Sequence, residues 1–146
     1  METKLLILGK GDNIITMILD NLYSINRRMP DIHIYNNLGL PIINTFTHDG
    51  FNIEVFDDVD LNNYDKIVLG VYQPQHKIKI IKTINPDINK FINVIHDGLD
   101  ISHMSELGRG VLINSKVSIA AHTTVGDFVS INRHVSIGHH TIIGDY

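Results

Sequence analysis

The last third of the chain, Ile101 to Tyr146, repeats every six residues. A branched apolar residue leads each unit: Ile101, Leu107, Ile113, Ile119, Val125, Ile131, Ile137 and Ile143. The residue after each leader is small or Asn: Ser102, Gly108, Asn114, Ala120, Gly126, Asn132, Gly138 and Gly144. Four places beyond the leader stand Val111, Val117, Thr123, Val129, Val135 and Thr141, mostly β-branched. A period of six fits neither a helix nor an alternating strand, and it is the repeat of a parallel β-helix.

The physics of that period is specific. In a triangular left-handed coil each hexad supplies one short flat strand and one corner. The leader points into the prism, and its small neighbour is expected to let the backbone turn without a Cβ clash. Three hexads make a coil of 18 residues, so Ile101, Ile119 and Ile137 stack in one column and Leu107, Val125 and Ile143 in another. An ordinary all-β domain of alternating strands is the competing reading. It does not explain why eight leaders and eight second positions repeat together. A left-handed coil runs against the usual right-handed crossover, so only this pattern justifies it.

The residues ahead of the repeat follow a different rhythm. Lys4 to Leu8 (KLLIL) is a continuous apolar run, as in a strand buried on both faces. A glycine turn, Gly9-Lys10-Gly11-Asp12-Asn13, follows, and then apolar residues at helical spacing from Ile14 to Tyr23. Asp12 or Asn13 is the candidate N-cap. Ile32 to Tyr35 reads as a second strand, Asn36 to Phe51 as a connection, and Asn52 to Phe56 as a short alternating strand. Lys66 to Val71 reads as a buried strand, and Pro74 to Ile84 as a helix with proline in its first turn. Phe91 to Ile95 (FINVI) is a further strand leading into the hexads. This βα order predicts a small parallel α/β, Rossmann-like domain over 1–97, rigidly joined to a β-helix over 98–146.

Composition narrows the function classes. The chain of 146 residues is 43% hydrophobic with net charge −4, which indicates a soluble globular protein without the basic patch that nucleic acid requires. It has no cysteine, so disulfides and thiolate metal sites are excluded. The N-terminal apolar run is too short for a signal peptide or membrane span, and a cytoplasmic protein is the expectation.

Two features carry chemistry. The Gly9–Asn13 turn sits where a helix N-terminus offers free N–H groups to a phosphate. Three readings stay open there: a tight turn with glycines for steric reasons, a nucleotide or nucleotide-sugar contact, and an NAD site. For NAD the fingerprint is incomplete, with Ile14 at its sixth position and no suitably spaced acid after the second strand. The other feature is histidine. Six of the nine histidines fall after residue 95, and His122 and His140 are 18 residues apart, one coil layer. His139 and His140 follow the corner residue Gly138 and are expected to project outward, with His103 and His134 elsewhere in the repeat. A neutral imidazole is a natural general base for an amine or hydroxyl nucleophile. No carboxylate pattern singles out a metal site. Asp57, Asp58, Asp60 and Asp65 read as a solvated loop, and Asp127 and Asp145, repeating after corner glycines, as structural.

The glycine-turn α/β start followed by HDGLDISHMSELGRGVLINSKVSIAAHTTVGDFVSINRHVSIGHHTIIGDY resembles the bacterial sugar acetyltransferases of the sialic acid O-acetyltransferase type. Close relatives in that group N-acetylate nucleotide-linked 4-amino-sugars. The resemblance implies a sugar or nucleotide-sugar substrate held near Gly9, Lys10, Gly11, Asp12 and Asn13, and acetyl-CoA as the acyl donor in the groove between subunits of a homotrimer. Aligned through Gly144-Asp145-Tyr146, the group's catalytic histidine falls on His139, and its acidic neighbour's position holds His140. The group's turn also commonly carries a histidine after its glycines, where Lys10 to Asn13 stand here. The group's members continue for further coils, whereas the repeat here stops at Tyr146, so an incomplete β-helix is expected, truncated relative to the group. The alternative this allows is a non-catalytic sugar-nucleotide-binding or trimerising fragment.

Overall fold

The computed structural model describes residues 4–25, 31–36 and 53–146. Most of the expected connection between Asn36 and Phe51 lies outside the described residues. The first part of the chain runs β1 (Lys4–Leu8), α1 (Asp12–Ile25), β2 (Asp31–Tyr35), β3 (Ile53–Phe56), β4 (Lys66–Leu69) and α2 (Pro74–Ile84). The strands form one parallel sheet in the order β3-β2-β1-β4. Leu5 and Ile7 of β1 pack with Ile15, Ile18 and Leu22 of α1, while Leu6 and Leu8 pack on the other face with Ile80 of α2 and Phe91. Cover on both faces is why KLLIL shows no alternation.

The segment Phe91–Ile95 is divided between two bodies rather than forming one strand. Phe91 bridges Ile67 beside β4, with the Ile92 N–H donating to the Ile67 carbonyl at 3.1 Å. Two residues on, β5 (Val94–Ile95) pairs with β8 (Leu112–Ile113). The first coil strand therefore precedes the junction expected at residue 97.

The remaining strands are β6 (Asp100–Ile101), β7 (Glu106–Leu107), β9 (Ser118–Ile119), β10 (Thr124–Val125), β11 (Ser130–Ile131), β12 (Ser136–Ile137) and β13 (Ile142–Ile143). They stack into three parallel sheets, β5-β8-β11, β6-β9-β12 and β7-β10-β13. Ile119 pairs with Ile101 and Ile137, and Val125 with Leu107 and Ile143. These are the columns that the six-residue period requires. The leaders from Ile113 to Ile137 are buried together with Val111, Val117 and Val129 in the prism. Short parallel strands on three faces fit a left-handed β-helix.

The corners differ from expectation. Left-handed backbone falls three residues after the leader, at Gly110, Lys116, His122, Phe128, His134, His140 and Tyr146, not at the small second position. None of these residues is β-branched, which keeps a positive φ tolerable. The small second residue serves a different purpose. A Cβ at Gly108 would lie 2.6 Å from the Gly126 carbonyl carbon, and one at Gly126 2.8 Å from the Gly144 carbonyl carbon. Close stacking of layers, not the turn itself, excludes a side chain there.

Buried polar groups fasten the α/β domain to the coil. The Asn21 amide of α1 donates to the Ile113 carbonyl at 2.9 Å and to Asn114 Oδ1 at 3.2 Å. On α2, the Lys77 ammonium donates to the Phe128 carbonyl at 2.6 Å and to Ser130 Oγ at 2.8 Å. Burial pulls the Lys77 pKa down to about 8. Phe91 meets Phe128 edge-on at 4.9 Å, and Tyr146 stacks on Phe128 at 5.5 Å. The exposed Arg133–Asp20 pair at 2.7 Å adds little. All these contacts reach the β5-β8-β11 face and the corners that flank it.

Candidate active site

The turn from β12 to β13 forms the corner between the β6-β9-β12 and β7-β10-β13 faces, which the described contacts with the α/β domain do not reach. His140 takes the left-handed position of this corner at φ 58°, and His122 takes it one layer earlier at φ 59°. Equal backbone conformation in adjacent layers projects the two side chains the same way. Their ring centroids are 4.9 Å apart, tilted by 38°. His139 stands beside them, its ring perpendicular to that of His140 and its Nδ1 2.9 Å from His140 Nδ1. All three histidines are exposed.

The turn itself is pinned. The Gly138 carbonyl accepts from Thr141 Oγ1 at 2.7 Å and from Thr123 Oγ1, one layer earlier, at 3.0 Å. The same β-branched position holds valine at Val111, Val117, Val129 and Val135, so threonine appears only at this histidine corner. That break in the column is the signal that could have marked Thr123 and Thr141 as support for the site. His134 stands on a different corner, and His103 is two layers from His139, so neither joins the cluster. Among the described residues, no group of three or more His, Asp or Glu is arranged to hold a metal ion.

The glycine turn builds a second candidate site. Gly9 has φ 102°, and a Cβ there would meet Val71 Cγ1 at 2.6 Å. Gly11 donates its N–H to the Gly70 carbonyl at 2.9 Å, and Gly70 donates to the Leu8 carbonyl at 2.8 Å. Gly70 is the tightest position, since a Cβ there would lie 2.2 Å from the Gly9 carbonyl oxygen. Sequence reading overlooked it, although KLLIL and KIVL are each followed directly by a glycine. The Gly11 carbonyl accepts the first helical bond, from Ile15 at 3.0 Å. Gly11 is therefore the N-cap residue in place of Asp12 or Asn13, and Asp12 opens the first turn.

The close approach of β1 and β4 leaves a cleft of about 430 Å³ at their carboxyl ends. Lys10 to Ile14 line one wall, and Tyr72, His76 and Lys79 are on the other. In parallel sheets ligands bind where neighbouring connections leave to opposite faces, as they do here. Two lysines and a histidine face one carboxylate, Asp12, whose Oδ1 is 3.5 Å from Lys10 Nζ. Tyr72 is half-exposed beside them. The lining ends at Ile84, so the cleft and the histidine corner are separate within one chain.

Three of the acidic residues, Asp60, Asp127 and Asp145, have structural roles. Asp60 accepts from the Asn62 N–H at 3.0 Å. Asp127 accepts from the Arg109 N–H at 2.8 Å, and Asp145 from the Asp127 N–H at 2.9 Å, tying successive layers as their repeat suggests. No described helix is long and apolar enough to cross a membrane.

No family profile and no curated protein matches the sequence. Solved structures do match. A histidine-to-asparagine variant of perosamine N-acetyltransferase from Caulobacter crescentus, in complex with CoA and GDP-perosamine, superposes with TM-score 0.75 at 18% identity. The match covers 97% of this chain and 65% of that one. PerB from the same organism, also with CoA and GDP-perosamine, gives TM-score 0.71 at 19% identity over 93% of this chain and 63% of that one. The acetyltransferase domain of PglB from Neisseria gonorrhoeae, in complex with acetyl coenzyme A, gives TM-score 0.68 at 14% identity, covering 99% and 68%. The chain thus spans just under two thirds of the length of the perosamine N-acetyltransferases and shares the fold of these acetyltransferases.

Proposed function

We propose that the chain belongs to an acetyltransferase that moves an acetyl group from acetyl-CoA to a nucleotide-linked amino sugar in glycan biosynthesis. The observation that carries this reading is the exposed His139, whose Nδ1 is engaged by His140, on a fold shared with an enzyme solved with CoA and GDP-perosamine and with a domain solved with acetyl coenzyme A. Structures of the Caulobacter enzyme with one histidine changed to Asn or Ala were solved with both ligands, which supports attention to a histidine.

In this reading the His139 Nε2 lone pair removes a proton as the sugar amine attacks the thioester carbonyl. The C–N bond forms, the C–S bond breaks, and the proton passes to the departing sulfur, releasing CoA as the thiol. The cleft beside Gly9 to Asn13 holds the nucleotide, with Lys10 and Lys79 toward its phosphates and Tyr72 toward its base. The α/β domain then acts as a Rossmann-like holder of the sugar nucleotide. Because cleft and histidine corner are separate in one chain, the sugar held by one copy meets His139 of the next in a homotrimer. Soluble acetyl-CoA and nucleotide-sugar substrates make the cytoplasm the setting. A hydroxyl acceptor, as in the sialic acid O-acetyltransferase type, uses the same base.

The test is thiol release from acetyl-CoA with a panel of nucleotide amino sugars. Release that requires both substrates supports the reading, and none with any acceptor contradicts it. A non-catalytic binder is the second reading, favoured by a cleft complete within one chain. It predicts calorimetric heat with a nucleotide sugar and none with acetyl-CoA.

A further inference from the structure

Resting on the reading of His139 as the base, we propose that His140 and His122 are positioning residues. His140 accepts the His139 Nδ1–H, and His122 holds the His140 ring where it can do so. A neutral imidazole carries one N–H, so two Nδ1 atoms 2.9 Å apart are bonded only if one ring donates and the other accepts. The pair therefore holds opposite tautomers. With His139 as donor, its Nε2 keeps the lone pair that a base needs, and His140 carries its own proton on Nε2.

An exposed imidazole would ordinarily swing among rotamers and release its neighbour. His140 is restrained twice, by its left-handed backbone and by the His122 ring 4.9 Å away. The Thr123 and Thr141 bonds to the Gly138 carbonyl fix the turn beneath them. Aligned this way, two layers of the coil give a neutral acceptor at a fixed place beside the base.

Nitrogen-15 NMR of the imidazole rings in the full chain, at a pH where they are neutral, reads this directly. The expected pattern is His139 protonated on Nδ1 and His140 on Nε2. His122→Asn removes the ring while tolerating positive φ. It is expected to mix the His139 tautomers and lower kcat about tenfold, with KM and thermal midpoint unchanged. His140→Gly, free of backbone strain, is expected to lower kcat about a hundredfold. His140→Asn supplies an acceptor oxygen, tolerates the same φ, and should restore most of that loss. The proposal is overturned by Nε2 protonation of His139, by an unaltered tautomer in His122→Asn, or by failure of His140→Asn to exceed His140→Gly. A chain that transfers no acetyl group refutes the acetyl-transfer reading, and the tautomer pattern still decides the pairing.

Discussion

The coil and the α/β domain achieve close packing in opposite ways. The coil repeats one local solution, so each residue meets its counterparts 18 positions away and the same corner recurs with Lys116, His122, Phe128 or His134 in it. Where its corners face solvent, as at Lys116, His122 and His134, the side chains can change, whereas Phe128 is buried against Phe91 at the seam. The α/β domain depends instead on one unrepeated approach, in which Gly9, Gly11 and Gly70 bring the ends of β1 and β4 together to shape the cleft. Tolerance therefore differs by place: the coil corner is open to variation in its outward chemistry, whereas the cleft's backbone is not.

Substituting glycines tests that contrast most sharply. Gly70→Ala forces a Cβ against the Gly9 carbonyl oxygen and Ile7 Cγ2, at 2.2 and 2.5 Å. A loss of about 3 kcal/mol in urea unfolding is expected. Unchanged stability would mean that the approach of the two strand ends relaxes freely.

An intermediate effect is expected at the seam between the two regions. The Lys77 pKa is lowered from 10.5 to about 8 by burial, so between those values the unfolded chain binds more protons. Stability should therefore rise with pH through this window, relative to Lys77→Met, in which the difference vanishes. Below about pH 8 both states carry the charge and the two curves run parallel. Parallel curves across the entire window would place Lys77 in solvent.

The smallest effect is expected in the coil. Lys116 is exposed at a left-handed corner with φ 59°, and Lys116→Asn, which tolerates that backbone, should stay within about 0.5 kcal/mol of the parent. A loss comparable to Gly70→Ala would erase the contrast.

The same difference explains what could be read from the sequence. The prism was legible because its spacing is local and repeated, and Ile101, Ile119 and Ile137 stack as their separation demands. The alternating strands and helices ahead of it were legible for the same reason, since apolar runs such as KLLIL record burial on both faces. What escaped were contacts between distant segments. Gly70 acts on Gly9 across the sheet, and Phe91 and Val94 belong to different bodies although two residues separate them. The left-handed corner position also escaped, because residues as unlike as Lys116 and Phe128 occupy it. At the histidine corner the register placed His122 beside His140, but the Nδ1–Nδ1 contact depends on ring orientation, which no spacing encodes.

The central claim is that His139 is the base of an acetyl transfer. The direct measurement is the rate of thiol release from acetyl-CoA with a nucleotide amino sugar, for the parent and for His139→Ala, alongside their thermal midpoints. The account predicts a loss of about a hundredfold or more in kcat with the midpoint unchanged. A variant that melts with the parent and keeps its full rate would contradict it.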